Sequence, residues 1–439
     1  MSKNLSRRSF LKVTGGSIAG AVLSGLPGLS HITSAQDDVT LRLAWWGGDA
    51  RHAMYNQLAD LFQEGNPTIT LEREFAGWGP YWEKLAIDTA GENAPDIIHM
   101  HQVYLSDYAS RGALMDLTPL VESGDIDLSH FAQGIIDTGK WGDAIYMITL
   151  GNSAPGIHYN TVMFDEAGVA IPEYSWTWDN FKETALALRE ALPEDVYAVN
   201  DSGAWLGTLE TFIRQKGYFL FEQEDGKALD KLGFPKDILI EHWAMWDELR
   251  QANAIPSAAL NAEFSNVSHP DSMLAKKMVA MHPMSGNQHK LFQVAMDDAI
   301  DLTTIPRSND PDGLAGDVVG GAYLSMSAST ENPQDVAAFI NWMINNEAVA
   351  KIYNAEHGPP GSSVMQEVIA DQLDPADVRL AEMMSYIGST ASPEAPRPAN
   401  GTEALNAIQL FYDQVAFGQL SVEQAVDSFF DEADFILTS

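Results

Sequence analysis

From Thr40 to Trp45 the chain alternates as T-L-R-L-A-W, the period of a half-buried strand, and Gly47-Gly48-Asp49 then turns it toward a helix. Met54, Leu58, Leu61 and Phe62 recur at helical spacing, and Gly65-Asn66-Pro67 ends that run before a second apolar strand, Ile69 to Phe75. A further helix from Pro80 carries Trp82, Leu85, Ala86 and Thr89 on one face, and Ile97 to Met100 follows Pro95-Asp96 as a short buried strand. Strands alternating with helices predict an α/β fold, with a parallel sheet covered by helices as the simplest packing.

The rest of the chain repeats this grammar. Tyr146 to Asn160 reads as two extended pieces around Gly151 and Pro155, where the chain is expected to cross into a second α/β region. Thr177 caps a helix with Phe181, Ala185, Leu188 and Leu192 inward. Further helices are predicted near Leu206 to Lys216 and Ile238 to Ala252, with strands at Met278 to Met281, Ala299 to Ile305 and Val318 to Met326. Asn332-Pro333 opens a helix with the proline at its first position, and the tail reads as helical throughout. Its last helix starts at the capping box Ser421-x-x-Gln424.

Composition adds an address and a charge. Residues 1–35 run from a basic start through an apolar stretch to small residues at Thr33 and Ala35, the pattern of a cleaved signal peptide. Ser6-Arg7-Arg8-Ser9-Phe10-Leu11-Lys12 fits the twin-arginine export signal in full. Val13 to Leu29 holds five glycines and a proline, too few strongly apolar residues for a membrane span. The chain has no cysteine, which excludes disulfides and a lipidated cysteine at the cleavage point, so a free periplasmic protein is expected. The net charge is −36, and removing the four cations of the signal leaves −40. Such acidity excludes nucleic acid as a partner and favours a soluble monomer.

Several segments, taken in order, carry a resemblance: Leu43 to Asp49 (L-A-W-W-G-G-D), Ala94 to Ile98 (A-P-D-I-I), Ser175 to Phe181 (S-W-T-W-D-N-F), Gly320 to Ser327, Asn332 to Met343 and Gly418 to Asp427. Together they resemble the extracellular solute-binding proteins of family 1, the maltose-binding-like receptors of carbohydrate ABC importers. The resemblance implies the two-lobed type II periplasmic binding protein fold, closing by a hinge over a saccharide and docking to permease subunits. Lobe one would hold 38–149 plus 322–361, and lobe two 151–321 plus 362–439. No cofactor and no catalytic residue are implied. The resemblance departs at Asn180, where an acid is usual, which is expected to weaken that helix cap. Trp45 to His52 with Gly77 to Tyr81 further resembles the oligogalacturonide-binding subgroup, so a uronate is one candidate ligand.

A sugar presents apolar C–H faces and a fan of hydroxyls, so its site needs aromatic rings and paired donor and acceptor groups. Trp46, Trp78 and Trp205 sit where the resemblance implies loops, with Tyr81 beside them, and they are the aromatic candidates. Trp45 is expected in the same loop region, whereas Trp176, Trp178, Trp243, Trp246 and Trp342 read as core. Polar candidates at expected strand ends are Asp49, Arg51, His101, Gln102, Asn152, Ser285, Asn287, Tyr323 and His357. Gly286 and Gly321 would let backbone approach a ligand closely or simply adopt positive φ. Asp49 reads equally as a helix cap. Arg51 would suit a uronate carboxylate, but the simpler reading is that it offsets acidic surface.

Two other classes are open. A secreted glycoside hydrolase or polysaccharide lyase would also be acidic and rich in tryptophan, yet no carboxylate pair is marked by a surrounding motif. A metal or other non-sugar solute could draw on His99, His101, His269, His282, His289 and His357; without an H-E-x-x-H or any cysteine, structural roles are the simpler expectation and no metal is assigned.

Overall fold

A computed structural model describes residues 38–439, apart from 225, 226, 266, 389 and 394–396; the export-signal expectation for 1–35 lies outside the described residues. The first strand, β1 (Val39–Trp46), pairs in parallel with β2 (Ile69–Ala76) and β3 (Ile97–His101). Helices α1 (Asp49–Gly65), α2 (Trp78–Ala90) and α3 (Gln102–Ser110) connect or follow these strands. Val318–Met326 then runs antiparallel to β3, and Ile148–Ser153 runs antiparallel to Val318–Met326 on its other side. A second sheet places Ile300–Thr304, Pro155–Asn160, Val279–Ser285 and Tyr197–Val199 side by side. Only its last pair is parallel.

Both sheets are therefore mixed, which corrects the expectation of a simple parallel sheet. The reason lies in the crossings. A parallel neighbour needs a long crossover, usually a helix, and Pro155–Asn160 follows Ile148–Ser153 after one intervening residue, Ala154. The chain passes directly from one sheet to the other at that point. Val318–Met326 returns in the opposite sense and joins the first sheet.

Each sheet has its own core. One core joins Leu41, Leu43, Trp45, Tyr55, Phe62 and Ile97 to Leu324, Phe339 and Ile340. The other joins Tyr159, Phe181, Trp243, Trp246 and Met281 to Tyr412 and Phe429 of the C-terminal helices. Each such side chain, fully buried, stabilises by about 1.5–3 kcal/mol. Trp176 and Trp178 are buried as expected, while Trp342 is only partly so. Trp45 is a correction: it lies on β1, is fully buried, and stacks on Tyr55 at 5.1 Å and Phe75 at 4.9 Å.

The caps show how far local sequence decides. Thr177 Oγ1 accepts from the Asn180 backbone N–H, and Asn180 Oδ1 accepts from the Thr177 backbone N–H at 3.1 Å. Asn180 thus completes a capping box rather than weakening the cap, because an amide carbonyl accepts that bond as a carboxylate would. Ser421 and Gln424 form the expected second box. Asn332 stands before helix Pro333–Asn345 without a side-chain cap bond. The tail is not wholly helical, since Ser392–Pro393 pairs with Val318 and Val319.

Where the two sheets meet, backbone replaces side chain. Gly321 lies opposite Asn152, and a Cβ on it would fall 2.0 Å from the Gly151 carbonyl oxygen. Gly358 has φ +97°, and a Cβ there would meet the Asn152 carbonyl oxygen at 1.8 Å. No other residue fits either place without moving the crossing strands.

Candidate functional site

In open α/β sheets ligands sit beyond the carboxyl ends of parallel strands, and β1 and β3 end at Trp46 and His101. Successive strand residues face opposite sides. Trp45 therefore enters the core under α1, while Trp46 joins α2, α3 and the β3 side chains. The Trp46 indole lies flat on His99, with ring centroids 3.9 Å apart and planes 10° from parallel. Trp78 meets Trp46 edge-on at 5.1 Å and His101 at 5.3 Å. Trp78, the first residue of α2, is 44% exposed, whereas Trp46 is buried, so Trp78 is the ring offered to solvent.

The support behind this pair is polar and tightly placed. The Tyr81 hydroxyl donates to the His99 carbonyl at 2.6 Å. His357 stands edge-on to His99 at 5.1 Å, and its Nδ1 is paired with the Tyr353 hydroxyl. Burial holds both imidazoles well below their usual pKa, and the Arg51 guanidinium lowers them further. They are neutral at pH 7. Arg51 itself is bonded to Glu356 at 2.9 Å and approaches the Trp46 carbonyl at 3.3 Å. Asp49 is exposed in the first turn of α1, where Gly48 holds the N-cap position. His101 caps α3 by accepting from the Val103 backbone N–H at 3.3 Å.

The other candidates gather at the crossing between sheets. Gln102 is buried and donates to the Val319 carbonyl at 3.2 Å, against Gly320. Tyr323 is fully buried between β3 and Ile148–Ser153. Asn152 is buried, its backbone N–H bonded to the Pro359 carbonyl at 3.0 Å. Ser285 Oγ lies 3.2 Å from Ser153 Oγ, the Asn287 N–H donates to Ser153 Oγ at 2.9 Å, and the Gly286 N–H donates to the Ala154 carbonyl at 2.8 Å. Trp205 falls in a different place, at the N-cap of helix Leu206–Gln215, with its ring against Gly207 and the second core.

A groove of about 930 Å³ lies beside this wall, between α2, α3 and the start of helix Gly401–Ala416. Trp82 and Tyr104 line it with rings 3.9 Å apart and 30° from parallel, and Trp78 stands 5.4 Å and 6.2 Å from those two rings. Thr402 ties helix Gly401–Ala416 to α3 by donating to the Val103 carbonyl at 3.0 Å. None of the fifteen residues expected from the sequence lines it. A signal for it was present: Tyr104, Asp107 and Tyr108 of α3 and Arg111 at its C-cap are spaced i, i+3, i+4, i+7, along one face. A face of aromatic and charged residues reads in sequence as mixed surface; only the approach of helix Gly401–Ala416 makes it a wall.

Seven of the histidines fall into two groups. His99, His101 and His357 belong to the wall. His158, His269 and His282 surround Phe292 with ring centroids 4.9–5.1 Å away, and His289 bonds His158 Nδ1 to Nδ1 at 3.2 Å. Burial lowers the pKa of His282 and His289 to about 4 and that of His158 well below normal. Among the described residues no group of three or more acidic or histidine side chains is placed to hold a metal ion.

Comparison with known proteins follows the same lines. The family described as bacterial extracellular solute-binding protein matches residues 50–350. A multiple sugar-binding protein of Streptococcus mutans is 20% identical over 64% of this chain and 66% of its own length, a little under two thirds. A periplasmic oligogalacturonide-binding protein of Yersinia enterocolitica, solved with saturated digalacturonic acid, superposes with TM-score 0.79 at 20% identity, over 91% of this chain and 99% of that one. A substrate-binding protein of an ABC system from Listeria monocytogenes, solved with cycloalternan, gives 0.76 at 20% identity over 91% and 99%. At these identities the solved structures establish the two-lobed fold.

Proposed function

This chain belongs to the bacterial extracellular solute-binding proteins, and from that premise we propose that it is the carbohydrate receptor of an ABC importer. The observation that carries the reading is the aromatic wall of Trp46, Trp78, Trp82 and Tyr104 beside a groove of about 930 Å³. Aromatic rings suit the apolar faces of a pyranose, and flanking side chains suit its hydroxyls. The names of the relatives, a sugar-binding protein and two structures holding oligosaccharides, support the same class.

In this reading 38–149 with 322–361 form one lobe and 151–321 with 362–439 the other. The crossing strands Ile148–Ser153 and Val318–Met326 are the hinge, their close packing at Gly321 limiting the motion to rotation about that seam. Ligand stabilises the closed form by contacts that the open form lacks, and that form engages the permease. The protein works as a monomer in the periplasm after twin-arginine export, and it releases its guest unchanged. Isothermal titration of residues 36–439 with mono- and oligosaccharides tests this: saturable binding without new reducing ends supports it, and turnover of the sugar or no binding across the panel refutes it.

A further inference from the structure

The charge around the groove bears on which saccharide it accepts, and the inference rests on the carbohydrate reading above. The groove is lined by Glu92, Asp107 and Glu403 against a single cation, Arg111. Arg397 acts electrostatically on Tyr104 and Asp107 and reduces this excess without removing it. Asp107 is half-buried, and the Thr402 hydroxyl stands 3.5 Å from its carboxylate, beyond a good hydrogen bond. Burial raises its pKa more than Arg111 and Arg397 lower it.

A second feature points to a ligand. Trp82 is 6% exposed and forms part of the wall, yet its Nε1–H has no partner among the described residues. The Thr89 hydroxyl, on the same side of α2, is also buried without one. The wall thus combines two buried donors without a partner among the described residues with three carboxylate acceptors. A sugar hydroxyl serves both kinds, since it donates and accepts; a uronate carboxylate at pH 7 only accepts, and here it would face three like charges. The one cation suggested by sequence for a uronate, Arg51, is already bonded to Glu356 and does not line the groove.

We propose that this groove takes an uncharged saccharide unit, its ring against the Trp82–Tyr104 pair and its hydroxyls donated to Asp107 and Glu403, and that it discriminates against uronates. Titration of the full mature chain with neutral trisaccharides and trigalacturonate tests the assignment. The expected result is a neutral sugar binding at least about tenfold more tightly than trigalacturonate at low ionic strength, the gap narrowing in salt. Asp107→Asn and Glu403→Gln should each narrow that gap by roughly threefold; Glu403 is exposed, so its variant remains informative if the Asp107 variant folds poorly. Trigalacturonate binding as tightly as any neutral sugar would overturn the charge assignment while leaving the receptor reading intact. Binding of no sugar at all would remove both.

Discussion

Trp46 and His99 lie face to face at 3.9 Å, the last residue of β1 on the middle residue of β3. The contact ties the floor of the aromatic wall to a neutral imidazole whose Nδ1 is buried without a partner among the described residues. Replacing Trp46 should therefore harm both fold and binding. Trp46→Ala is expected to lower stability by about 3–5 kcal/mol, as truncation of a buried tryptophan does, measured by urea unfolding.

Trp78 separates these effects. Being 44% exposed at the start of α2, it contributes little to the core. Trp78→Ala should leave the midpoint of unfolding within about 0.5 kcal/mol and weaken saccharide binding by about 1–3 kcal/mol through lost apolar contact. Unchanged affinity by titration calorimetry would assign Trp78 to the surface alone.

Arg51 and Glu356 form a partly buried pair, with side chains 13% and 27% exposed. Arg51→Ala should cost about 1 kcal/mol of stability, near the upper end for such pairs. It should not alter the preference between neutral and acidic sugars. A selective loss of uronate binding in this variant would restore Arg51 as a ligand contact.

The buried histidines around Phe292 set an acid response. Each is neutral in the folded chain, with its pKa depressed from 6.5 to about 4 for His282 and His289, whereas the unfolded chain takes up the proton near 6.5. The unfolded state therefore binds more protons between those values, so stability present above pH 6.5 is lost as pH falls toward 4. One such histidine contributes at most about 1.4 kcal/mol per pH unit. His282→Gln should flatten the slope of unfolding free energy between pH 6.5 and 4.5; an unchanged slope would mean that this histidine charges freely in the fold.

Gly321→Ala tests the seam between sheets. A Cβ there meets a backbone oxygen, which cannot rotate away as a side chain can. A loss of about 1–3 kcal/mol is expected, the usual range for overpacking, together with a changed affinity for ligand if the seam is the hinge. A variant as stable as the parent would show that the crossing strands separate easily.

Local pattern alone determined a large part of this protein. Alternation in β1, the helical spacing of Leu58 and Phe62, the caps at Thr177 and Ser421 and the order of strands and helices are short-range properties, and they are legible because each depends on residues a few positions apart. Tertiary structure decided strand direction at the crossings, since register between Val318–Met326 and β3 joins residues more than 200 positions apart. It also decided the site. Trp45 and Trp46 are adjacent and chemically identical, yet the pleat sends one into the core and the other to the wall. Tyr104 and Asp107 became groove residues only when Thr402, far along the chain, docked on Val103. A side chain's partners across space are set by packing of whole elements, and no neighbouring residue records them.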